Sequence, residues 1–238
     1  MQNSSLSAYQ PAALSSFRCG AFDMRIVTLP ADRQACFALR LRAYAVYLPP
    51  NEIPANGLYT DPFDDLATTL VMGAYDAGRL VASMRLCFSR AWDSTLTLPC
   101  APYYPELETI KSFSSGALME VSRVAIDPAI TNTSYRTTLY ASLVRLGLIA
   151  ANAADVSTIL IATQAASEKF YRYMLGLERI GEPAFYPPGD FKISLLGSAM
   201  EQARLRQKCQ NSFFGVSDDE VARMRQALAS RALLRDVA

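Results

Sequence analysis

The sequence has no histidine in its 238 residues. That absence excludes Ser-His-Asp and Cys-His nucleophile systems and every metal site built on imidazole. Acid–base chemistry near neutral pH is left to carboxylates, tyrosine, lysine, cysteine or water. Cysteine is sparse: Cys19, Cys36, Cys87, Cys100 and Cys209, with no close pair. This odd, scattered set is neither a zinc spacing nor a disulfide framework, and it fits a reducing cytoplasm. With no histidine or Cys-Lys pairing to activate them, even Cys87 and Cys100 are expected to be buried, inert thiols. Charge bias is missing too. A net charge of +1 argues against nucleic acid as a partner. No apolar run reaches the length of a membrane span. The start, Met1-Gln2-Asn3-Ser4-Ser5, lacks the basic and apolar regions of a secretory signal. The expectation is a cytoplasmic protein with no metal centre.

What is present is apolar: 51% of residues are hydrophobic and 19% charged, enough for a large single core. Residues 1–20 are rich in Ser and Ala and read as a flexible tail. Residues 21–197 read as the folded domain, and 198–238 as a C-terminal helical extension. A first strand is expected at Asp23–Leu29. A helix follows from Pro30 to about Tyr47, with Pro at its start and Asp32 in its first turn. The stretch from Asn51 to Thr68 is irregular and acidic, and loops of that length are often functional. Thr69–Tyr75 and Leu80–Phe88 flank Asp76-Ala77-Gly78-Arg79 as a hairpin. Residues 89–116 read as irregular and contain the lone Trp92.

One strand stands apart. Ala117–Ile126 is apolar enough to be buried, yet it carries Glu120 and Arg123. An unpaired buried charge costs several kcal/mol, so these residues must be paired, solvated in a cleft, or used. Strand parity sends them to opposite faces unless the strand bulges. A helix near Tyr135–Ala153, a strand at Ser157–Ala162 and a helix at Ala165–Leu175 capped by Gly176 come next. Two closing strands, Leu177–Ile180 and Phe191–Leu196, complete the domain. Beyond them a helix pair is expected, the second starting at the capping box Ser217-Asp218-Asp219-Glu220. The order gives an α/β fold with a central mixed sheet flanked by helices.

Four motifs occur in order: Arg40-x-x-x-Tyr44, Asp61-x-x-Asp64, Val81-Ala82-Ser83-Met84-Arg85-Leu86 and Glu120-Val121-Ser122-Arg123. In this order they resemble the autoinducer-synthase-like branch of the Gcn5-related N-acetyltransferase (GNAT) fold. That branch holds the acyl-homoserine-lactone synthases and the FeeM-type N-acyl amino acid synthases, N-acyltyrosine synthases among them. Phe170-Tyr171-Arg172-Tyr173-Met174-Leu175-Gly176-Leu177 is similar to the helix-to-strand junction of the same fold, so the resemblance covers about Asp23 to Leu196. Two departures narrow it. No glycine lies between Gly116 and Gly147, so the loop that cradles the CoA pyrophosphate is missing. That favours the acyl-phosphopantetheine of an acyl carrier protein as donor, with no bound cofactor. The tryptophan that homoserine-lactone synthases carry after the first helix is also absent, which favours an amino acid acceptor.

The resemblance implies a bacterial N-acyltransferase that moves a fatty acyl group onto an amino acid's amine. Glu120 is the candidate base, its alternative being a structural ion pair with Arg123 or Arg85. Arg40, Tyr44, Asp61, Asp64, Arg85 and Arg123 would shape the acceptor side, with an arginine gripping the acceptor carboxylate. Backbone N–H groups of Val124, Ala125 and Ile126 would polarise the thioester and pair with the pantetheine arm. Acyl carrier proteins are acidic, and Arg136, Arg145, Lys169 and Arg172 are candidates for their docking face, with Arg204, Arg206 and Lys208 as further contributors. The competing readings are a homoserine-lactone synthase and a non-catalytic acyl-binding module.

Overall fold

The computed structural model describes residues 16–90, 97–185, 192–201 and 214–229. Trp92, Cys209, the basic residues between 204 and 208, and the first helix of the expected C-terminal pair lie outside the described residues.

The chain runs through β1 (Ser16–Cys19), β2 (Phe22–Ile26), α1 (Pro30–Tyr44), β3 (Thr69–Asp76), β4 (Arg79–Arg90), α2 (Glu106–Phe113) and β5 (Ala117–Ile126). It continues with α3 (Thr133–Ala153), β6 (Val156–Gln164), α4 (Ala165–Leu175), β7 (Glu178–Phe185), β8 (Lys192–Ala199) and α5 (Asp218–Ala229). The strands form one sheet in the order β1-β2-β3-β4-β5-β6-β8-β7. Only β5 and β6 pair in parallel, as the α3 crossover between them requires. This is the expected mixed α/β sheet.

Alternation along the strands feeds two apolar layers. Met84, Leu86, Met119, Val121, Ile159 and Ile161 face α3, α4 and α5 in the larger core. Cys87, Leu118, Leu160 and Ile193 face α2 on the other side, where α1 also packs, through Cys36 and Phe37 against Val71. Helix ends follow local chemistry. Pro30 opens α1, the Asn132 side chain accepts the Tyr135 N–H at 2.9 Å to start α3, and Gly176 at φ 67° ends α4. Ser217 and Glu220 cap α5 reciprocally, at 3.3 and 3.0 Å. No helix among the described residues is long and apolar enough to cross a membrane.

Two elements differ from the sequence reading. Ser16–Cys19, read as part of a tail, is an edge strand paired with β2, and its Phe17 and Cys19 are fully buried. Four residues are too few for a periodic signal amid Ser and Ala. The stretch 89–116, read as irregular, contains α2, whose two turns set Leu107 and Ile110 on the core but are too short for a periodic signal.

Candidate active site

The site is organised by a bulge in β5. Ala125 lies opposite Ser83 and Ser122 opposite Arg85, so Arg123 and Val124 together face the single residue Met84. Arg123 has φ 53°, a left-handed conformation that costs a non-glycine residue about 1–2 kcal/mol. The extra residue breaks the parity that would send Arg123 to the far face. Its Nη2 and Nε donate to Asp61 Oδ2 at 2.7 and 3.1 Å. Arg85 Nη1 donates to Asp61 Oδ1 at 2.5 Å.

Asp61-x-x-Asp64 is itself a capping box on a short 3₁₀ turn, Pro62–Asp65. Asp61 Oδ1 accepts the Phe63 N–H at 3.0 Å, and Asp64 Oδ2 accepts the Asp61 N–H at 3.0 Å. The same Asp64 oxygen takes Arg40 Nη1 at 2.8 Å, and Arg85 Nη1 lies 3.3 Å from its other oxygen. One loop thus ties α1, β4 and β5 together. Burial alone would raise the Asp61 carboxyl, but the Arg85 and Arg123 guanidinia outweigh it and hold it at about 2. The Tyr44 hydroxyl donates to the Val124 carbonyl at 3.1 Å. Its ring meets Tyr59 edge-to-face, and Arg123 lies 5.3 Å over the Tyr59 ring. All six residues expected on the acceptor side therefore gather at one place. Tyr59 is an addition, an aromatic of the acidic loop that no motif marked.

Glu120 shares the sheet face of Ser122 and Arg85, one pleat away, with Cys87 as its cross-strand partner. It is fully buried, and its Oε2 accepts the Cys100 N–H at 2.8 Å. Because of the bulge, Glu120 and Arg123 stand on the same face, where Arg85 and Arg123 both grip Asp61 and Arg85 also reaches Asp64. The adjacent thiols are inert: burial pushes Cys87 up to about 12 and Cys100 well above its ordinary value.

Just past Glu120 the sheet parts. Pairing between β5 and β6 ends at Val121 and Ile161, while β5 continues along β4 to Ile126. Asp127 N–H donates to the Val81 carbonyl at 2.9 Å. Antiparallel alternation then turns Ala125 toward β4 as well. Of the three expected backbone donors, Ala125 is therefore corrected. By the same alternation Ile126 faces the open edge, while Val124 sits in the bulge with its carbonyl on Tyr44.

On the opposite sheet face lies an apolar pocket. Its floor is Met84, Met119, Val121, Ile159 and Ile161, and its roof is α3 and α4 through Leu143, Gly147 and Leu175. Val124 lines this pocket too, so the bulge borders both the pocket and the charged cluster. Two phenols add polarity to the lining. The Tyr140 and Tyr171 hydroxyls bond to each other, Tyr140 is also bonded by Ser167 and Thr163, and burial raises both phenols. The sequence reading did not find this pocket, because its lining is indistinguishable from core in one dimension.

The proposed docking residues separate. Lys169 and Arg172 are exposed on α4. Arg136 donates to the Ile130 carbonyl at 2.9 Å. Arg145 is corrected: it bonds Cys19 Sγ at 3.4 Å and the Gly215 carbonyl at 3.0 Å, and pairs with Glu220 at 2.8 Å, a clasp holding α5.

The family model of the N-acyl amino acid synthase FeeM matches residues 35–199, a span containing every residue of the charged cluster and the pocket. The chain belongs to the FeeM N-acyl amino acid synthase family. Among solved structures, FeeM itself, from uncultured soil microbes, is 19% identical with a TM-score of 0.64, over 78% of this chain and 93% of that one. The AHL synthase LasI is 17% identical with a TM-score of 0.58, over the same shares. A Bacillus halodurans protein of uncharacterised function is 13% identical with a TM-score of 0.52, over 82% of this chain and 95% of that one. No curated protein sequence matches the chain. As a member of the FeeM family on an N-acyltransferase fold, the protein is an acyltransferase.

Proposed function

We propose that the protein transfers a fatty acyl group from an acyl carrier protein to the amine of an amino acid. The observation that carries this reading is the parting of the sheet at Val121 and Ile161. There the apolar pocket on one face and the arginine–aspartate cluster on the other border the same residue, Val124. An acyl chain in the pocket brings its thioester to the opening, where the Val124 and Ile126 N–H groups polarise the carbonyl. The acceptor approaches from the Tyr44, Tyr59 and Arg123 side. The amine nitrogen attacks the thioester carbon, an amide C–N bond forms, and the C–S bond breaks to release the pantetheine thiolate, which takes a proton.

Glu120 is the carboxylate placed to receive the amine's proton, directly or through an intervening water. An arginine of the cluster pairs with the acceptor's carboxylate. The aromatic faces of Tyr44 and Tyr59 make tyrosine the first acceptor to assay. The donor is assigned to a carrier protein because the sequence lacks the glycine loop for a CoA pyrophosphate, and exposed Lys169 and Arg172 suit an acidic carrier. The donor phosphopantetheine is a substrate of the reaction. The protein acts in the cytoplasm.

Glu120→Gln in purified enzyme, assayed with acyl carrier protein and an amino acid panel, tests the base. A folded variant is expected to lose at least about a hundredfold in kcat, and near wild-type turnover would refute the assignment. The similarity to LasI supports one second reading, homoserine-lactone synthesis. Mass spectrometry of lipids from expressing cells separates the two, N-acyl amino acids against lactones. Thioester release that never rises on adding any amine would point instead to a non-catalytic acyl-binding module.

A further inference from the structure

Gly147 has no structural reason to be glycine. Elsewhere in the fold the reason is visible. A Cβ at Gly73 would stand 2.8 Å from the Tyr75 ring, and one at Gly197 would stand 2.5 Å from Ile180. Gly78 and Gly181 have φ of 83° and 63°, where side chains are strained. Gly147 lies well inside α3, with helical geometry, in a position where glycine is among the poorest helix formers. A Cβ there would meet nothing closer than Val121 Cγ2, at 3.9 Å, an ordinary contact. Neither packing nor backbone asks for this glycine, and helix stability argues against it.

What glycine does provide at this position is empty space in the pocket, whose lining includes Gly147. The geometry of α3 sets the depth. Tyr140 is on the same helix, near the end where the sheet parts. Gly147 lies seven residues further on, about 10 Å along the axis, facing Val121. Beyond it the pocket is lined by Leu148 on the helix and by Met119 and Ile159 on the sheet. A chain entering beside Val124 must pass under Gly147 to reach that inner end. Any side chain at 147 would project into this passage.

We propose that Gly147 determines the length of the acyl chain the protein accepts, by leaving the inner end of the pocket open to long saturated chains. The proposal deepens the acyl-transfer reading and rests on it for the identity of the ligand. One extra methyl in a snug apolar slot changes discrimination by roughly tenfold or more. Gly147→Ala is therefore expected to lower kcat/KM for the longest accepted acyl donor by about tenfold while leaving short donors unchanged. Gly147→Leu is expected to abolish use of long donors and retain short ones.

The test has two arms. The first compares wild type, Gly147→Ala and Gly147→Leu across acyl carrier proteins loaded with a homologous series of saturated chains. The second measures the rise in melting temperature that the corresponding free fatty acids give each protein, without any transfer. Melting curves of the unliganded variants guard against misfolding, and the alanine variant is expected to melt at or above the wild-type temperature. A shift toward shorter chains in the fatty-acid arm supports the proposal. An unchanged length profile in folded Gly147→Leu overturns it and leaves the acyl-transfer reading intact. If wild type transfers no acyl group to any amine yet its fatty-acid profile shortens in the variants, the transfer reading fails and Gly147 keeps its role.

Discussion

At the scale of single residues, Asp61 bears the most. It receives Arg85 and Arg123 together while capping its own turn, and its side chain is only 18% exposed. Its carboxyl is held at about 2, against roughly 3.9 in an unfolded chain. A depressed carboxylate stabilises the fold fully above the unfolded value and loses that contribution as pH falls through the folded one. Asp61 is thus expected to supply about 2 kcal/mol near neutrality, fading between about pH 4 and pH 2. In urea titrations against pH, Asp61→Asn should be destabilised near neutrality and should lack this acid-dependent component. An unaltered acid profile would show that the pairing contributes nothing. This centre was legible in the sequence. Charges inside apolar strands stand out, and Asp-x-x-Asp is a local capping motif whose two carboxylates are brought together by the chain itself. Tyr59 was not legible, because its role comes from Tyr44 and Arg123, which are distant in sequence.

At the scale of elements, the decisive feature is the bulge of β5. Sequence parity posed the question of Glu120 and Arg123 but did not answer it, since a bulge is a property of two strands in register. The Met84 that faces two residues sits on β4, far along the chain. Tyr44 secures the bulge from α1 by taking the Val124 carbonyl. Tyr44→Phe keeps the ring and removes one hydrogen bond, a change expected to cost about 1 kcal/mol of stability. Turnover should fall further than acceptor KM changes, because in the proposed mechanism the Val124 backbone serves the thioester rather than the acceptor. A variant with raised acceptor KM and intact kcat would place Tyr44 in direct acceptor contact instead. The apolar pocket escaped the sequence for a similar reason: its walls come from three strands and two helices, and each residue reads as ordinary core.

At the scale of the whole molecule, additions outside the family span brace the site from behind. The β1–β2 hairpin extends the sheet, and α5 lies against α3, the helix that roofs the pocket. Arg145 joins the three by meeting Cys19, Gly215 and Glu220. Because the Arg145 and Glu220 side chains are 14% and 12% exposed, removing either leaves a partly buried charge unpaired. Arg145→Ala should lower unfolding stability by about 1–3 kcal/mol. Paired with Glu220→Gln in a double-mutant cycle, it should show strong coupling, whereas simple additivity would mean that α5 is held by its apolar face alone. The capping box of α5 was readable from sequence. Its target was not, because Arg145 reads as one more basic residue on a helix.

The parting of β5 from β6 also has a kinetic consequence. On the proposed mechanism, donor and acceptor reach the reaction centre through separate doors, one on each face of the sheet, so neither obstructs the other's entry. Initial rates should then fit a random sequential scheme, with intersecting lines in double-reciprocal plots and no obligatory first substrate. The product is different, because a single molecule lies across the slit. It has to withdraw lengthwise, its tail drawn through the opening toward the side its head occupies. Longer tails should therefore leave more slowly and inhibit more strongly, and turnover should become limited by release as the acyl chain lengthens.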